Sequence, residues 1–165
     1  MKKLSHYDDA GRASMVDVSA KADTRRVARA QAFVKIRPSV LKKLPQNPKG
    51  DPLEVARIAG ISGAKRTAEL IPMCHPLLLS HVDVDAQVES RGVRITTTVS
   101  TTGPTGVEME ALTAAAVAAL TVYDMTKALD KRIEIQDILL LEKTGGKSGT
   151  FQRVNKRRGQ RQGRS

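Results

Sequence analysis

Charged side chains interrupt an otherwise apolar segment between residues 103 and 131. At 100° per residue, the large apolar side chains of this segment fall on one stripe, as a core-facing helix requires: Leu112, Val117, Leu120 and Tyr123. Asp124, Lys127 and Lys131 fall on the same stripe. A carboxylate and an amine three residues apart form either an exposed ion pair where the helix leaves the core, or an acid and a base that line a pocket.

The start of this helix carries two further acids, Glu108 and Glu110. Thr105-x-x-Glu108 matches a capping box, which gives Glu108 a structural explanation. Glu110 borders the stripe, and capping does not require it. At about 1.5 Å per residue, Glu110 and Asp124 lie about 21 Å apart. A compact site within one chain cannot use both acids, whereas an extended ligand or a second subunit can.

Two loops contain further reactive groups. Met73-Cys-His-Pro76 follows a predicted helix end, where Cys74 could be a nucleophile, a zinc ligand or a buried thiol beside a hydrogen-bonded His75. The zinc interpretation is weakened by the absence of CxxC or HxxxH spacing. Lys143-Thr-Gly-Gly-Lys-Ser-Gly149 offers amides and lysines to an anion, or is a flexible exit loop. It is not a Walker motif, because Leu141 stands where the first glycine is needed.

Composition describes a single intracellular domain. A chain of 165 residues buries about 70% of its unfolded surface without disulfides or structural metals. The only cysteine, Cys74, excludes an internal disulfide framework and fits a reducing compartment. The N-terminus lacks an apolar run, and the Ala-rich stretch 111–123 is too short to cross a bilayer. We therefore expect a cytoplasmic protein with no membrane association.

The net charge of +11 is concentrated at the C-terminus. Residues 152–165 hold six of the 28 basic residues and no acid, leaving 22 basic and 17 acidic residues in the remainder. We predict a disordered basic tail at 152–165, which either aids solubility or makes weak contacts with RNA or another anion. Two tyrosines, two phenylalanines and no tryptophan leave few platforms on which bases could stack.

Periodicity predicts the order βαββαβ in a single domain that spans residues 1–151, with an irregular segment at 1–23. The Asp51-Pro52-Leu53-Glu54 sequence marks a helix start. The predicted elements are a strand at 24–36, a helix from 52 to 70 broken near Gly60–Gly63, a hairpin at 81–89 and 93–99, a helix at 106–129 and a strand at 132–141. This order is typical of an α+β, ferredoxin-like fold, in which a four-stranded antiparallel sheet has helices packed on one face.

Four motifs carry a family resemblance. The segments 65–77, 105–114, 123–127 and 143–149 closely resemble the cyclic pyranopterin monophosphate synthases of molybdenum cofactor biosynthesis, and Met15-Val-Asp-Val-Ser19 is also similar. The likeness covers about residues 4–151 and excludes the tail. It implies a ferredoxin-like subunit assembled as a trimer of dimers, a hexamer with sites between subunits. It also implies a phosphorus–oxygen lyase that converts 3′,8-cyclo-7,8-dihydroguanosine triphosphate into cyclic pyranopterin monophosphate and pyrophosphate.

The resemblance also assigns roles to individual residues. Asp124 is implied as the catalytic acid/base and Lys127 as its partner, with pKa values brought toward neutrality. The residues implied to bind substrate are Met73, Cys74, His75, Met109, Glu110, Glu108, Asp17, Lys49 and Lys143. Lys65 and Lys147 join Lys49 and Lys143 as candidates for neutralising the phosphates, although alone they are typical of solvated surface lysines. No cofactor and no protein-bound metal is expected, while Mg²⁺ can accompany the triphosphate.

Two other functions are weighed against this one. The positive charge and arginine-rich tail favour a nucleic-acid-binding module. The Ala-rich helix, which permits close packing, favours a catalytically silent oligomeric scaffold.

Overall fold

The structure is a computed structural model that describes Tyr7 and residues 10–154. Its elements, in chain order, are β1 (Thr24–Lys35), α1 (Pro38–Leu41), a 3-10 turn (Leu44–Gln46), α2 (Pro52–Lys65), α3 (Thr67–Leu70), β2 (His81–Glu89), β3 (Gly92–Gly103), α4 (Glu108–Thr126), β4 (Glu134–Thr144) and β5 (Phe151–Gln152). Residues 10–23 contain no helix or strand apart from an isolated bridge between Tyr7 and Ala13. No helix in the described part of the chain is long and apolar enough to cross a membrane.

The fold is α+β, as predicted, with one antiparallel sheet in the order β2-β3-β1-β4-β5. Helices α2 and α4 pack against each other and against the sheet. The prediction of four strands is wrong, because the glycine-rich loop after β4 turns the chain back and Phe151 pairs with Lys143. Three glycines in this loop have positive φ, which only glycine adopts without strain.

The fifth strand also moves the beginning of the tail. Gln152 pairs with Glu142, and the Arg153 amide donates to the Leu141 carbonyl at 2.8 Å. Residues 152 and 153 therefore belong to the sheet edge rather than to the predicted tail. Val154 is 84% exposed, and residues 155–165 of the predicted tail lie outside the described residues. The single-domain boundary remains a prediction.

Helix α2 begins as predicted, and the break in the predicted helix 52–70 lies at Arg66, between α2 and α3. Asp51 caps it by accepting the Leu53 amide at 2.8 Å. The predicted break at Gly60–Gly63 is wrong, because the two glycines allow α2 to pack closely on α4. A Cβ at Gly60 would lie 3.0 Å from the Ala114 carbonyl oxygen, and one at Gly63 would lie 2.9 Å from Val117.

Helix α4 buries mainly small side chains. The fully buried apolar positions are Ala111, Ala114, Ala115, Ala118, Ala119 and Val122. The prediction that the Leu112–Tyr123 stripe faces the core is correct only in part, because Leu112 and Tyr123 are partly buried and pack against the core, whereas Leu120 is 57% exposed. The close approach of α2 and the sheet leaves room mainly for small residues beneath the helix. Asp124 and Lys127, at the end of the same stripe, have side chains that are 58% and 50% exposed.

The predicted capping box at the start of α4 does not form. The N-cap is Val107, and no side chain caps this helix. The Glu108 carboxylate instead forms an ion pair with Lys143 on β4, with an Nζ–Oε1 distance of 2.9 Å. A long-range charge therefore outcompetes the local amides for this side chain.

Candidate active site

A cavity of about 1100 Å³ lies at the N-terminal end of α4. Its walls come from the N-terminal segment before and within β1, the loop between α3 and β2, the first turn of α4 and the glycine-rich loop after β4. Eight of the residues predicted to bind substrate line it: Met73, Cys74, His75, Glu108, Met109, Glu110, Lys143 and Lys147. Four chain segments that are distant in sequence thus build one concave site.

Glu110 is the buried acid of this cavity. It is only 4% exposed, and burial raises its pKa above the ordinary value of 4.5, with the charge of Glu108 adding to the effect. Burial also raises the pKa of Cys74, and the nearby Glu110 carboxylate raises it further. A thiol held protonated is a poor nucleophile. The raised pKa and the place of Cys74 in the cavity wall favour its interpretation as a binding residue over that of an attacking thiolate.

His75 connects the α3–β2 loop to the N-terminal segment. Its Nε2 lies 2.9 Å from the carbonyl oxygen of Val16, and because a carbonyl can only accept, Nε2 carries the proton. In the neutral ring, Nδ1 is then left as an acceptor. This hydrogen bond holds residues 16–18 along the cavity wall, where Val16 and Val18 line it.

Positive charge dominates the cavity walls. Lys143 contacts both Glu108 and Ser148, with an Nζ–Oγ distance of 2.7 Å to the serine. Lys21, Arg26 and Lys147 also line the cavity, so four cationic side chains face the two acids Glu108 and Glu110. Such a surface favours a ligand that carries several negative charges.

Arg26 is a lining residue that the sequence analysis missed. Its Nε donates to the Gly103 carbonyl at 2.9 Å and its Nη2 to the Pro104 carbonyl at 3.0 Å, which fastens the loop before α4 to β1. The alternation of β1 is a signal that could have identified Arg26 as a site residue. Arg26 lies on the same face of the strand as the buried Ala28, Ala30 and Ala32, so its charged side chain stands on the inward face where the core ends.

A second group of predicted residues lies at the opposite end of α4. The Lys127 ammonium is 2.6 Å from Asp124 Oδ1, and the Lys49 ammonium is 3.8 Å from Asp124 Oδ2. The hydrogen bond and charge of Lys127 lower the pKa of Asp124, and the same contact raises the pKa of Lys127. The pKa values in this chain therefore move away from neutrality, contrary to the expectation for an acid/base pair.

Two predicted residues belong to neither group. Asp17 is exposed beside the cavity, and its Oδ1 accepts hydrogen bonds from the amide and hydroxyl of Ser19, which lower its pKa. Lys65 is exposed at the end of α2 and does not line the cavity. Among the described residues, no group of three or more His, Cys, Asp or Glu side chains could hold a metal ion. The role of metal in the reaction remains a prediction.

Comparison with known proteins identifies the family. The model of the MoaC family matches residues 15–146. A cyclic pyranopterin monophosphate synthase of Roseiflexus sp. (strain RS-1) is 56% identical over 155 residues, which cover 92% of this chain and 98% of that protein. Proteins of the same name are 55% identical in Deinococcus radiodurans, over 91% of this chain and 90% of that protein, and 54% identical in Methylobacterium sp. (strain 4-46), over 92% and 97%.

These similarities extend over the fold and over both groups of site residues. They define the class of protein as an enzyme, a lyase. The chain belongs to the MoaC family. Membership supports a role in molybdenum cofactor biosynthesis.

Proposed function

We propose that this lyase converts 3′,8-cyclo-7,8-dihydroguanosine triphosphate into cyclic pyranopterin monophosphate and pyrophosphate. The names of relatives that are 54–56% identical over nearly the whole chain support this reaction. The observation that carries it is the cationic cavity built around the buried carboxyl of Glu110. The cationic walls suit a triphosphate, and the buried carboxyl suits a purine-derived ring that gains and loses protons.

The cavity residues divide the work by chemistry. Lys143, Lys147 and Arg26 neutralise phosphate oxygens and stabilise the charge that develops on the departing pyrophosphate. Glu110, whose pKa is raised by burial, can share a proton with a ring nitrogen or carbonyl of the substrate. His75 Nδ1 accepts a proton or a hydrogen bond from the ligand. Met73 and Met109 pack on the apolar faces of the ligand ring.

Asp124 and Lys127 supply the acid/base step in this proposal. Both are solvent-exposed in the isolated chain, and each keeps the other charged. Enclosure by substrate and a neighbouring subunit would remove water from the pair, and desolvation moves the pKa of an amine down and that of a carboxyl up. Closure of the site is thus what would bring both groups toward neutrality.

We also propose a hexamer, a trimer of dimers, in which each site joins the cavity of one chain to the Asp124–Lys127 pair of another. The support is distance, since Glu110 and Asp124 lie fourteen residues apart on one straight helix, about 21 Å. Between them Leu120 is 57% exposed, and Leu112 and Tyr123 are partly buried. An exposed leucine beside partly exposed apolar side chains suits contact with a second copy.

We extend the proposal to the type of core, the cellular location, the cofactor requirement and contact with RNA. A ferredoxin-like core is supported by the strand order β2-β3-β1-β4, with β5 added at the edge. The single thiol, Cys74, supports a cytoplasmic location. No cofactor is required by the proton transfers above, and Mg²⁺ would accompany the substrate phosphates rather than a protein ligand set. Any RNA contact would involve the basic tail.

Turnover of the cyclised substrate tests the reaction directly. Purified enzyme should release pyrophosphate and the pterin product in equal amounts, measured by a coupled phosphate assay and by fluorescence after oxidation. Asp83→Asn, which changes an exposed carboxylate on β2, is the matched control and should keep parent activity. Absence of both products from the parent enzyme would refute the proposed function.

Mixing two inactive variants tests the intersubunit site. Glu110→Gln disables the cavity, and Asp124→Asn disables the pair. If each site takes its cavity and its pair from different chains, a refolded equimolar mixture has both parts intact in about a quarter of its sites and should recover about a quarter of parent activity. If one chain supplies both parts, the mixture stays inactive and the intersubunit proposal fails.

A further inference from the structure

Asn47 joins the loop that carries Lys49 to the C-terminal end of α4. Its side-chain Nδ2 donates to the Met125 carbonyl oxygen at 2.8 Å, across 78 residues of sequence. Its Oδ1 accepts the amide of Lys49 at 2.9 Å. One side chain therefore touches both the last turn of the helix that bears Asp124 and the residue whose ammonium approaches Asp124.

The Met125 carbonyl needs such a partner. It lies in the last turn of α4, and the Leu129 amide, which would bond it in a continuing helix, bonds the Thr126 carbonyl instead. The final carbonyls of a helix have no intrahelical donor and take partners from elsewhere. Asn47 satisfies this one, and because both groups are partly buried, the bond is shielded from competing water.

The backbone of Asn47 rigidifies the same loop. Its amide donates to the Leu44 carbonyl at 3.2 Å, and its carbonyl accepts the Gly50 amide at 3.0 Å. Each of its four polar atoms is thus engaged, two in the turn, one on Lys49 and one on α4. The side-chain bond to the amide two residues later is an Asx turn, which presets the backbone direction of Lys49.

The Lys49 side chain by itself is held weakly. Its ammonium lies 3.3 Å from the Asp124 carbonyl oxygen and 3.8 Å from the carboxylate, and it is 47% exposed. Exposed ion pairs of this kind do little to fix a long flexible side chain. What places Lys49 beside Asp124 is the position of its backbone, and Asn47 determines that position relative to α4.

We infer that Asn47 is a positioning residue that fixes the place of Lys49 relative to Asp124 and Lys127 on α4. The inference rests on the proposed function, in which Lys49 serves substrate at that end of α4. Asn47 touches no reacting atom in this arrangement. It acts through Lys49, and its loss should let the loop drift relative to the helix.

The first test is a pair of substitutions with a neighbouring control. Asn47→Ala removes both side-chain bonds and should lower kcat/KM between about 10- and 100-fold, the effect of a small misplacement in an active site. Asn47→Asp retains the acceptor for the Lys49 amide but faces the Met125 carbonyl with oxygen, so it should not restore activity. Gln46→Ala removes an exposed amide next door and should behave like the parent.

A double-mutant cycle separates positioning from general damage. In a Lys49→Ala background, Asn47→Ala should cause less than about a twofold further loss, because the group it positions is already absent. Losses that multiply would overturn the inference, as would parent activity in either Asn47 variant. If Lys49→Ala alone leaves turnover unchanged, the proposed role of Lys49 fails instead, and the two failures are therefore distinguishable. Circular dichroism melts of every variant show whether the fold is retained.

Discussion

Lys127 and Asp124 form an ion pair on the outward side of α4, with an Nζ–Oδ1 distance of 2.6 Å and side chains that are 50% and 58% exposed. Each group stabilises the charged form of the other, so the pKa of Asp124 falls and that of Lys127 rises. A pair in this state exchanges protons poorly near pH 7. In the proposed function its surroundings would have to change on substrate binding and assembly before the pair could act as acid and base.

Asp124→Asn should reduce kcat at least about 100-fold, the contribution typical of a positioned acid or base. It should also lower the pKa of Lys127, because the hydrogen bond and the charge that raise that pKa are both removed. The basic limb of the residual kcat/KM profile should therefore move to lower pH. Steady-state rates between about pH 8 and 11 measure this, and an unmoved limb would show that Lys127 does not determine it.

Glu110→Gln should stabilise the fold while it disables the site. Burial raises the pKa of Glu110 above 4.5, and a group with a raised folded-state pKa stabilises the fold fully only below its unfolded pKa. That stabilisation is lost as the pH rises through the folded-state pKa, whereas glutamine is neutral throughout.

The melting temperature of Glu110→Gln should therefore exceed that of the parent more at pH 8 than at pH 4, by about 2–4 °C for each kcal/mol gained. Thermal melts at the two pH values measure the difference. A difference that is equal at both pH values, or larger at pH 4, would contradict the burial argument. Glu54→Gln, on the exposed surface of α2, is the control and should show little dependence of this kind.

Cys74 should react slowly with alkylating agents. Burial and the Glu110 carboxylate raise the pKa of its thiol, so the inflection of the alkylation rate against pH should lie above the ordinary value of 9.0. In Glu110→Gln the nearby negative charge is absent, and the inflection should move down. Stopped-flow alkylation measures both curves, and an inflection below pH 8 in the parent would restore the nucleophile interpretation.

Gly60→Ala should destabilise the protein although alanine is the better helix former. The added Cβ would lie 3.0 Å from the Ala114 carbonyl oxygen, 3.1 Å from Val84 and 3.2 Å from Ala118, none of which can rotate away. Overpacking at this contact should outweigh the helix-propensity gain and leave a net loss of about 1–2 kcal/mol. Urea unfolding measures it, with the exposed Ser62→Ala in the same helix as the control that loses no stability.

Local sequence signals predicted most of the fold. Alternation located β2 and β3, and Asp51-Pro52 marked the start of α2, because strand pleating and helix capping depend on residues a few positions apart. β5 was missed since two residues carry no period. Its pairing depends on the turn made by Gly145, Gly146 and Gly149.

The candidate site shows the same division between local and long-range effects. The sequence by itself determined which side chains could do chemistry, through their types and motif resemblance, and it separated Glu110 from Asp124 through the rise of a helix. Only the tertiary structure decided that alanines face the core, that Glu108 bonds Lys143 rather than its own helix, and that Asn47 reaches Met125. These outcomes depend on how closely distant segments approach and which charge they bring, and neither quantity is encoded in neighbouring residues.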